Sequence, residues 1–195
     1  MKKIRVKKYK VIPNGVDIQE LEKARVLEGF EGKIITCVAR LEAQKNYETL
    51  IKAMNHLKGC TLLIVGEGSK RKELENLVEE EGLTEKVKFL GNRSDVPSIL
   101  KRTDVFVLPS KTEGMSNALL EAMALAKPCV VSNIPQNTAL IKNDENGLTF
   151  KTTDYKDLAK KISQAKKSHG LKAKQTIKKE YDINKIRKQY REIIK

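Results

Sequence analysis

Short apolar runs separated by amphipathic stretches recur from residue 33 to residue 150. The runs fall at 34–39, 61–65, 87–90, 105–108 and 128–132, with a weaker one at 147–150. Their length and their content of Val and Ile match strands buried on both faces. Between them, apolar residues at helical spacing predict helices near 46–57, 69–82, 95–102, 115–126 and 135–142. Strands alternating with helices build βαβ units, so the expected class is α/β with a doubly wound parallel sheet. The stretch 154–195 is helical in pattern, with a sparse apolar stripe (Leu158, Ile162, Ile183, Ile186, Tyr190, Ile193, Ile194) that suggests helices packed on something else.

A doubly wound sheet in the order 3-2-1-4-5-6 makes its first and fourth strands neighbours. The winding reverses there, and the loops after those two strands flank a crevice where ligands bind. In this chain the loops are Arg40–Asn46 and Pro109–Met115, and both carry unusual chemistry. The first holds Arg40 and Lys45, a planar fork and a point charge that together can meet a diphosphate. Two solvated loop cations are the alternative.

The second loop runs into a stretch, 118–126, in which Glu121 is the only residue that is not apolar. A carboxylate on a buried helix is costly unless donors reach it, and sugar hydroxyls are such donors. The helix start near Gly114, Met115, Ser116 and Asn117 offers free backbone N–H groups to an anion, and Gly114 lets a ligand approach the backbone. Glu113 adds a second carboxylate on the same side. Pairing of Glu121 with a buried cation is the alternative reading. Gly66 and Gly68 after the second strand suit a tight turn or a phosphate, but lack the full G-x-G-x-x-G spacing. Asn92 and Arg93 after the third strand could meet a nucleobase, or form a plain turn in which Ser94 caps the next helix.

Composition narrows the partners. The formal charge is +14, but residues 1–10 carry six Lys/Arg and no acid, and residues 151–195 carry fifteen against five. The body between them is close to neutral. Aromatic residues make up only 5% of the chain, Trp is absent and no nucleic-acid reading motif occurs, which argues against a nucleic-acid partner. Basic ends instead suit an anionic membrane face or plain solvation. No apolar run is long enough to span a bilayer, and the basic start lacks the apolar stretch of a secretion signal. Three cysteines far apart (Cys37, Cys60, Cys129) fit neither a disulfide framework nor a metal site, so a reducing cytoplasm is expected.

Taken together, the segments from 11-VIPNGVD-17 to about Tyr190 resemble the C-terminal half of a GT-B glycosyltransferase of family 4, the retaining class. The resemblance rests on ARLEAQKN, VGEGS, FLGNRSDV and above all EGMSNALLEAMA, in which Glu113 and Glu121 form an E-x7-E pair. It implies a Rossmann-like fold that binds a UDP-, GDP- or ADP-sugar. Arg40 and Lys45 would neutralise the diphosphate, Glu113 would bind hydroxyls of the transferred sugar, and Glu121 would take the ribose hydroxyls. Backbone amides of Met115, Ser116 and Asn117 would hold the phosphates, without a metal. His56 and His169 are expected to be uninvolved.

The resemblance also implies three regions: 1–14 as a basic segment and interdomain join, 15–168 as the donor-binding domain, and 169–195 as a basic helical tail. A full enzyme has an N-terminal half that binds the acceptor, for which this chain has no counterpart. The resemblance therefore leaves two readings: the donor half of a hexosyltransferase that completes itself with an acceptor-binding partner, or a non-catalytic nucleotide-sugar-binding subunit or inactive domain.

Overall fold

A computed structural model of the protein describes residues 11–194. The basic segment 1–10, and the membrane contact expected of it, lie outside the described residues. Six parallel strands form one sheet: β1 (Lys33–Val38), β2 (Cys60–Val65), β3 (Val87–Gly91), β4 (Val105–Leu108), β5 (Cys129–Ser132) and β6 (Leu148–Phe150). Their order is β3-β2-β1-β4-β5-β6, the common doubly wound order supposed in placing the crevice. β1 therefore lies between β2 and β4, with Ile35 opposite Val105 and Thr36 opposite Phe106.

Because side chains alternate across a strand, each strand feeds two cores. Ile35, Cys37, Leu62, Ile64, Val105 and Val107 face one side. There they meet α2 (Tyr47–Ala53), α3 (Arg71–Glu80) and α7 (Tyr155–Gln164). Phe106, Leu108, Cys129 and Val131 face the other side, against α5 (Asn117–Ala124) and α8 (Lys167–Thr176). Ile34, Leu63 and Val65 pack there with Ile99 of α4 (Val96–Arg102). α6 (Pro135–Leu140) links β5 to β6. Thr36, the one polar inward residue of β1, is satisfied by a 2.8 Å hydrogen bond to the Thr103 hydroxyl.

The structure differs from the sequence reading in four places. A helix not read from the pattern, α1 (Ile18–Lys23), follows the join motif. Asp17 caps it by accepting a 3.1 Å hydrogen bond from Glu20 N, and it lies outside the strand–helix alternation that begins at residue 33. The helix expected at 115–126 is shorter. Ser116 stops it at one end by accepting from Leu119 N, and Ala126, with φ 56°, ends it at the other. Ser94 does not cap α4: Asp95 holds the cap position without a side-chain cap bond, because its carboxylate is forked by Arg93 at 2.7 Å through both oxygens.

The stretch after 154 breaks into α7, α8, a π-helical turn (Ile177–Tyr181) and α9 (Ile183–Ile194). The 168/169 boundary falls inside α8. Ala173 and Ile177 are fully buried in the same core as Leu119, Leu120 and Met123 of α5, so these residues share the body's core.

Candidate functional site

The loops after β1 and β4 are fastened to each other before any ligand is considered. Leu41, fully buried, anchors the first loop, with its N–H donating to Glu67 O at 2.9 Å and its carbonyl accepting from Lys70 N at 2.9 Å. This contact explains the glycines after β2. A Cβ on Gly66, whose φ is +133°, would sit 2.2 Å from Ala39 O, and one on Gly68 would sit 2.4 Å from Leu41 O. Only glycine lets the β2 loop press against the Arg40 loop at that distance. The close contacts of these glycines are with backbone of the neighbouring loop.

After a single 3-10 turn (Ala43–Lys45), Asn46 takes a left-handed conformation, φ 56°, and is buried. Its amide donates to Pro109 O at 3.0 Å, and its carbonyl oxygen accepts from Thr49 Oγ1 at 2.9 Å. Lys111 N donates to Gln44 O at 2.8 Å, a second tie between the loops. Asn tolerates that backbone and brings both a donor and an acceptor, which few residues combine.

Those ties place Lys45 against Glu113. The ammonium is 2.7 Å from Glu113 Oε1, the Ser110 hydroxyl donates to the same oxygen at 2.6 Å, and the two charged side chains are only 16% and 8% exposed. Ser110 is held in turn by Ser132, whose hydroxyl donates to Ser110 O, and Asn137 donates to Ser132 Oγ at 2.9 Å. A shielded pair of this kind is stable only with both members present: removing one leaves an uncompensated charge.

The Arg40 side chain is exposed and makes no hydrogen bond or ion pair among the described residues; only its carbonyl is engaged, accepting from Glu42 N at 3.0 Å. Gly114 has open space where a side chain would be. Met115 and Ser116 are half-buried, and exposed Asn117 opens α5, its side-chain oxygen accepting from Asn14 of the join motif at 2.8 Å. Glu121 is half-buried one turn further on, and its carboxylate has no hydrogen-bond or ion-pair partner among the described residues. Burial pushes its pKa above the usual carboxylate value. The alternative of a Glu121 paired to a buried cation is thus not what the structure has.

Glu121 and Asn117 line a cavity of about 470 Å³ closed by Asn14, Asp17, Ile186 and Tyr190. A second cavity of about 350 Å³ continues along α1, sharing Glu20 and Leu21, to Ser94 and Asp95. Asn92 and Arg93, exposed beyond β3, line neither one, and Arg93 is engaged with Asp95. Lys45, Glu113 and Arg40 lie outside the lining of the 470 Å³ cavity.

The sequence did not single out Asn46, Ser110 or Asn14. Asn46 precedes a helix like many loop residues, and only the position of Pro109 O shows what it holds. The two histidines have ordinary roles: His56 stacks on Tyr155 with ring centroids 5.5 Å apart, and His169 Nδ1 accepts from Lys166 N at the start of α8. All three cysteines are buried and free, with the Cys37 thiol pushed up to about 12 by burial. Among the described residues no group of three His, Cys, Asp or Glu side chains could hold a metal ion, and no helix is long and apolar enough to cross a membrane.

A parallel sheet in this doubly wound order, with helices on both faces, defines the Rossmann-like class. The family described as Glycosyl transferases group 1 matches residues 19–182, and the chain belongs to that family. It is 37% identical over 163 residues to the UDP-Gal:alpha-D-GlcNAc-diphosphoundecaprenol alpha-1,3-galactosyltransferase of Escherichia coli, covering 75% of this chain and 42% of that one. It is 33% identical over 145 residues to the N-acetylgalactosamine-N,N'-diacetylbacillosaminyl-diphospho-undecaprenol 4-alpha-N-acetylgalactosaminyltransferase of Campylobacter jejuni, covering 73% and 40%. The chain thus spans less than half the length of these relatives. Among solved structures it is similar to Anabaena Alr3699/HepE in complex with UDP and glucose, with TM-score 0.83 and 25% identity, covering 95% of this chain and 56% of that one.

Proposed function

We propose that this chain is the donor-binding half of a glycosyltransferase. In this reading it binds a nucleoside diphosphate sugar at the carboxyl ends of β1 and β4. With an acceptor-binding half, it transfers a hexose, with retention, to a polysaccharide or glycolipid acceptor. The observation that carries the reading is the junction of the two loops, where Lys45 and Glu113 meet beside the start of α5 and a half-buried Glu121 stands without a partner. The named activities of the Escherichia coli and Campylobacter jejuni relatives support a lipid-linked acceptor, and the Anabaena complex supports a UDP-sugar donor. Such an acceptor would bring the enzyme to a membrane surface, where the basic residues of 1–10 and 151–195 favour an anionic leaflet.

The roles follow from chemistry. The bond between the anomeric carbon and the diphosphate breaks, and negative charge grows on the leaving nucleoside diphosphate. Arg40, Lys45 and the amides of Met115, Ser116 and Asn117 stabilise that charge in place of a metal ion. Lys45 must therefore share its ammonium between Glu113 and the diphosphate, which releases part of Glu113 to accept from hydroxyls of the sugar. Glu121 accepts from the two ribose hydroxyls, and the base extends along α1 toward the turn at Asp95. The acceptor hydroxyl attacks from the face the leaving group departs, and a phosphate oxygen of that group takes its proton.

Calorimetry with UDP tests the assignment. Glu121→Ala should weaken UDP by about tenfold or more, the loss of charge-assisted hydrogen bonds. Glu113→Ala should bind UDP as well as the parent or better, since Lys45 is freed, yet discriminate poorly among UDP-sugars. Equal affinity of both variants and the parent for every ligand refutes the reading. Sugar transfer is then assayed with the acceptor-binding half of a related enzyme supplied: the mixture should transfer while this chain alone does so poorly, because the reactants must be held in line.

A further inference from the structure

The edge of the sheet opposite the candidate site carries a second concentration of charge. Two cavities of about 440 and 300 Å³ adjoin there, sharing Asp104, Pro128 and Lys167. Their lining draws Lys101 and Arg102 from the end of α4, Asp104 from the turn between α4 and β4, Lys127 from the turn between α5 and β5, Lys167 from the start of α8, and Lys33 from the start of β1. Five cations thus surround one carboxylate.

The partners of these cations are mostly neutral. The Lys101 ammonium donates to Glu22 O and Ala24 O, Lys127 donates to Lys101 O at 2.6 Å, and Lys33 donates to Ile162 O at 3.2 Å. Arg102 donates to Phe30 O and Gly32 O and touches Asp104 at 3.2 Å. Asp104 also accepts from Ile34 N at 2.8 Å. Carbonyl oxygens fix the positions of the cationic heads but cancel none of their charge.

Each ammonium has three donors. Lys127 therefore keeps two unused, and exposed Lys167 makes no hydrogen bond or ion pair among the described residues. Burial first, and then Arg102, Lys101 and Lys167, hold Lys127 below the usual lysine value, with only Asp104 opposing them. Excess positive charge with unused donors around a recess of small-ligand size (about 300–1,000 Å³ is usual) calls for a compact polyanion.

We propose that this recess is a second anion site that binds a phosphate-bearing ligand carrying several negative charges, of which inorganic pyrophosphate is the simplest. It is separate from the donor site, because about 13 Å of strand, the four residues of β4, lies between them before the loops are counted. A bound anion would bridge the α5–β5 turn to α8 and draw these two elements together. The phosphate could be dissolved or could be the headgroup of a lipid, the latter suggested by exposed Val26 and Leu171 at the rim.

The test titrates inorganic pyrophosphate into the full chain carrying Arg40→Ala, so that the donor cleft contributes little, and follows heat and thermal unfolding. Saturable binding with a rise in unfolding temperature is expected. Lys167→Ala and Lys127→Gln, each added to that background, should weaken it by about tenfold or more. Lys167 is exposed, so its variant keeps the test valid should Lys127→Gln fail to fold. Absence of binding, or affinity within about twofold of the Arg40→Ala chain in Lys167→Ala, overturns the proposal. Vesicles of phosphatidylglycerol or phosphatidylcholine separate the sources. Binding to the first alone, displaced by pyrophosphate and lost in Lys167→Ala, supports a lipid headgroup. Pyrophosphate binding without vesicle binding supports a dissolved anion.

Discussion

Glu121 shows how a single residue reports on its surroundings. Burial favours its neutral form, so as pH rises from the ordinary carboxylate value through the raised one, charging it destabilises the free fold; below that window the penalty is absent. Hydroxyl donors prefer the charged form, so binding works the other way. UDP affinity should fall as pH drops through the window above 4.5, and binding should release protons. The terminal phosphate of UDP titrates nearby, so the decisive quantity is the difference between the parent and Glu121→Gln, measured by calorimetry across pH. A pH profile shared by both would place the titration elsewhere. Gly66 is the other residue whose neighbours decide its identity. Gly66→Ala should destabilise the protein by about 3 kcal/mol in chemical denaturation, because the methyl group meets the Ala39 carbonyl in a backbone region that L residues avoid.

Among the elements, α5 joins the site to the rest of the chain. Ser116 and Asn117 at its start face the loops, while Leu119, Leu120 and Met123 bury its body. Its far end is pressed by α8, where a Cβ on Gly170 would lie 2.0 Å from Ala126 O. Gly170→Ala should push α8 away and lower stability by about 2–4 kcal/mol, read as a shift of the denaturation midpoint with an unchanged slope. The inner strands were legible because a run buried on both faces is nearly apolar throughout, whereas the edge strands β3, with Lys88, and β6, with Thr149, are only partly buried and give a weaker signal. The 3-10 turn at Ala43–Lys45 and the short α1 were not read from the pattern: both lie outside the strand–helix alternation that pointed to the equally short α6. Helix ends likewise depended on competition: the cap position of α4 falls on Asp95, not Ser94, and Arg93 takes the Asp95 carboxylate, so no side-chain cap bond forms there.

For the molecule as a whole, the tail belongs to the core. Ile177 is fully buried and Ile186 nearly so, with Ile186 also touching the join, since a Cβ on Gly15 would lie 2.9 Å from its Cγ1. A chain ending at residue 168 forfeits the burial of these two side chains, roughly 3–6 kcal/mol, along with the cover over α5. It should unfold at markedly lower denaturant concentration than the full chain, or not fold. A truncated chain as stable as the parent would make the tail a true appendage. This packing is hard to see in the sequence, because a lysine-rich stretch shows its solvated face and hides the few apolar residues that anchor it.

Sequence alone determined the class of fold and, once the common doubly wound order is supposed, the two loops that carry the candidate chemistry, because apolar runs and chain direction are local properties. Tertiary structure alone decided what those loops do to each other. That Lys45 rests on Glu113, that Asn46 reaches Pro109, and that five cations from four separate segments line adjoining recesses at the starts of the strands are juxtapositions of residues far apart in the chain. No local pattern encodes such a distance. It exists only once the sheet has brought β1 beside β4 and the closing helices have settled on its two faces.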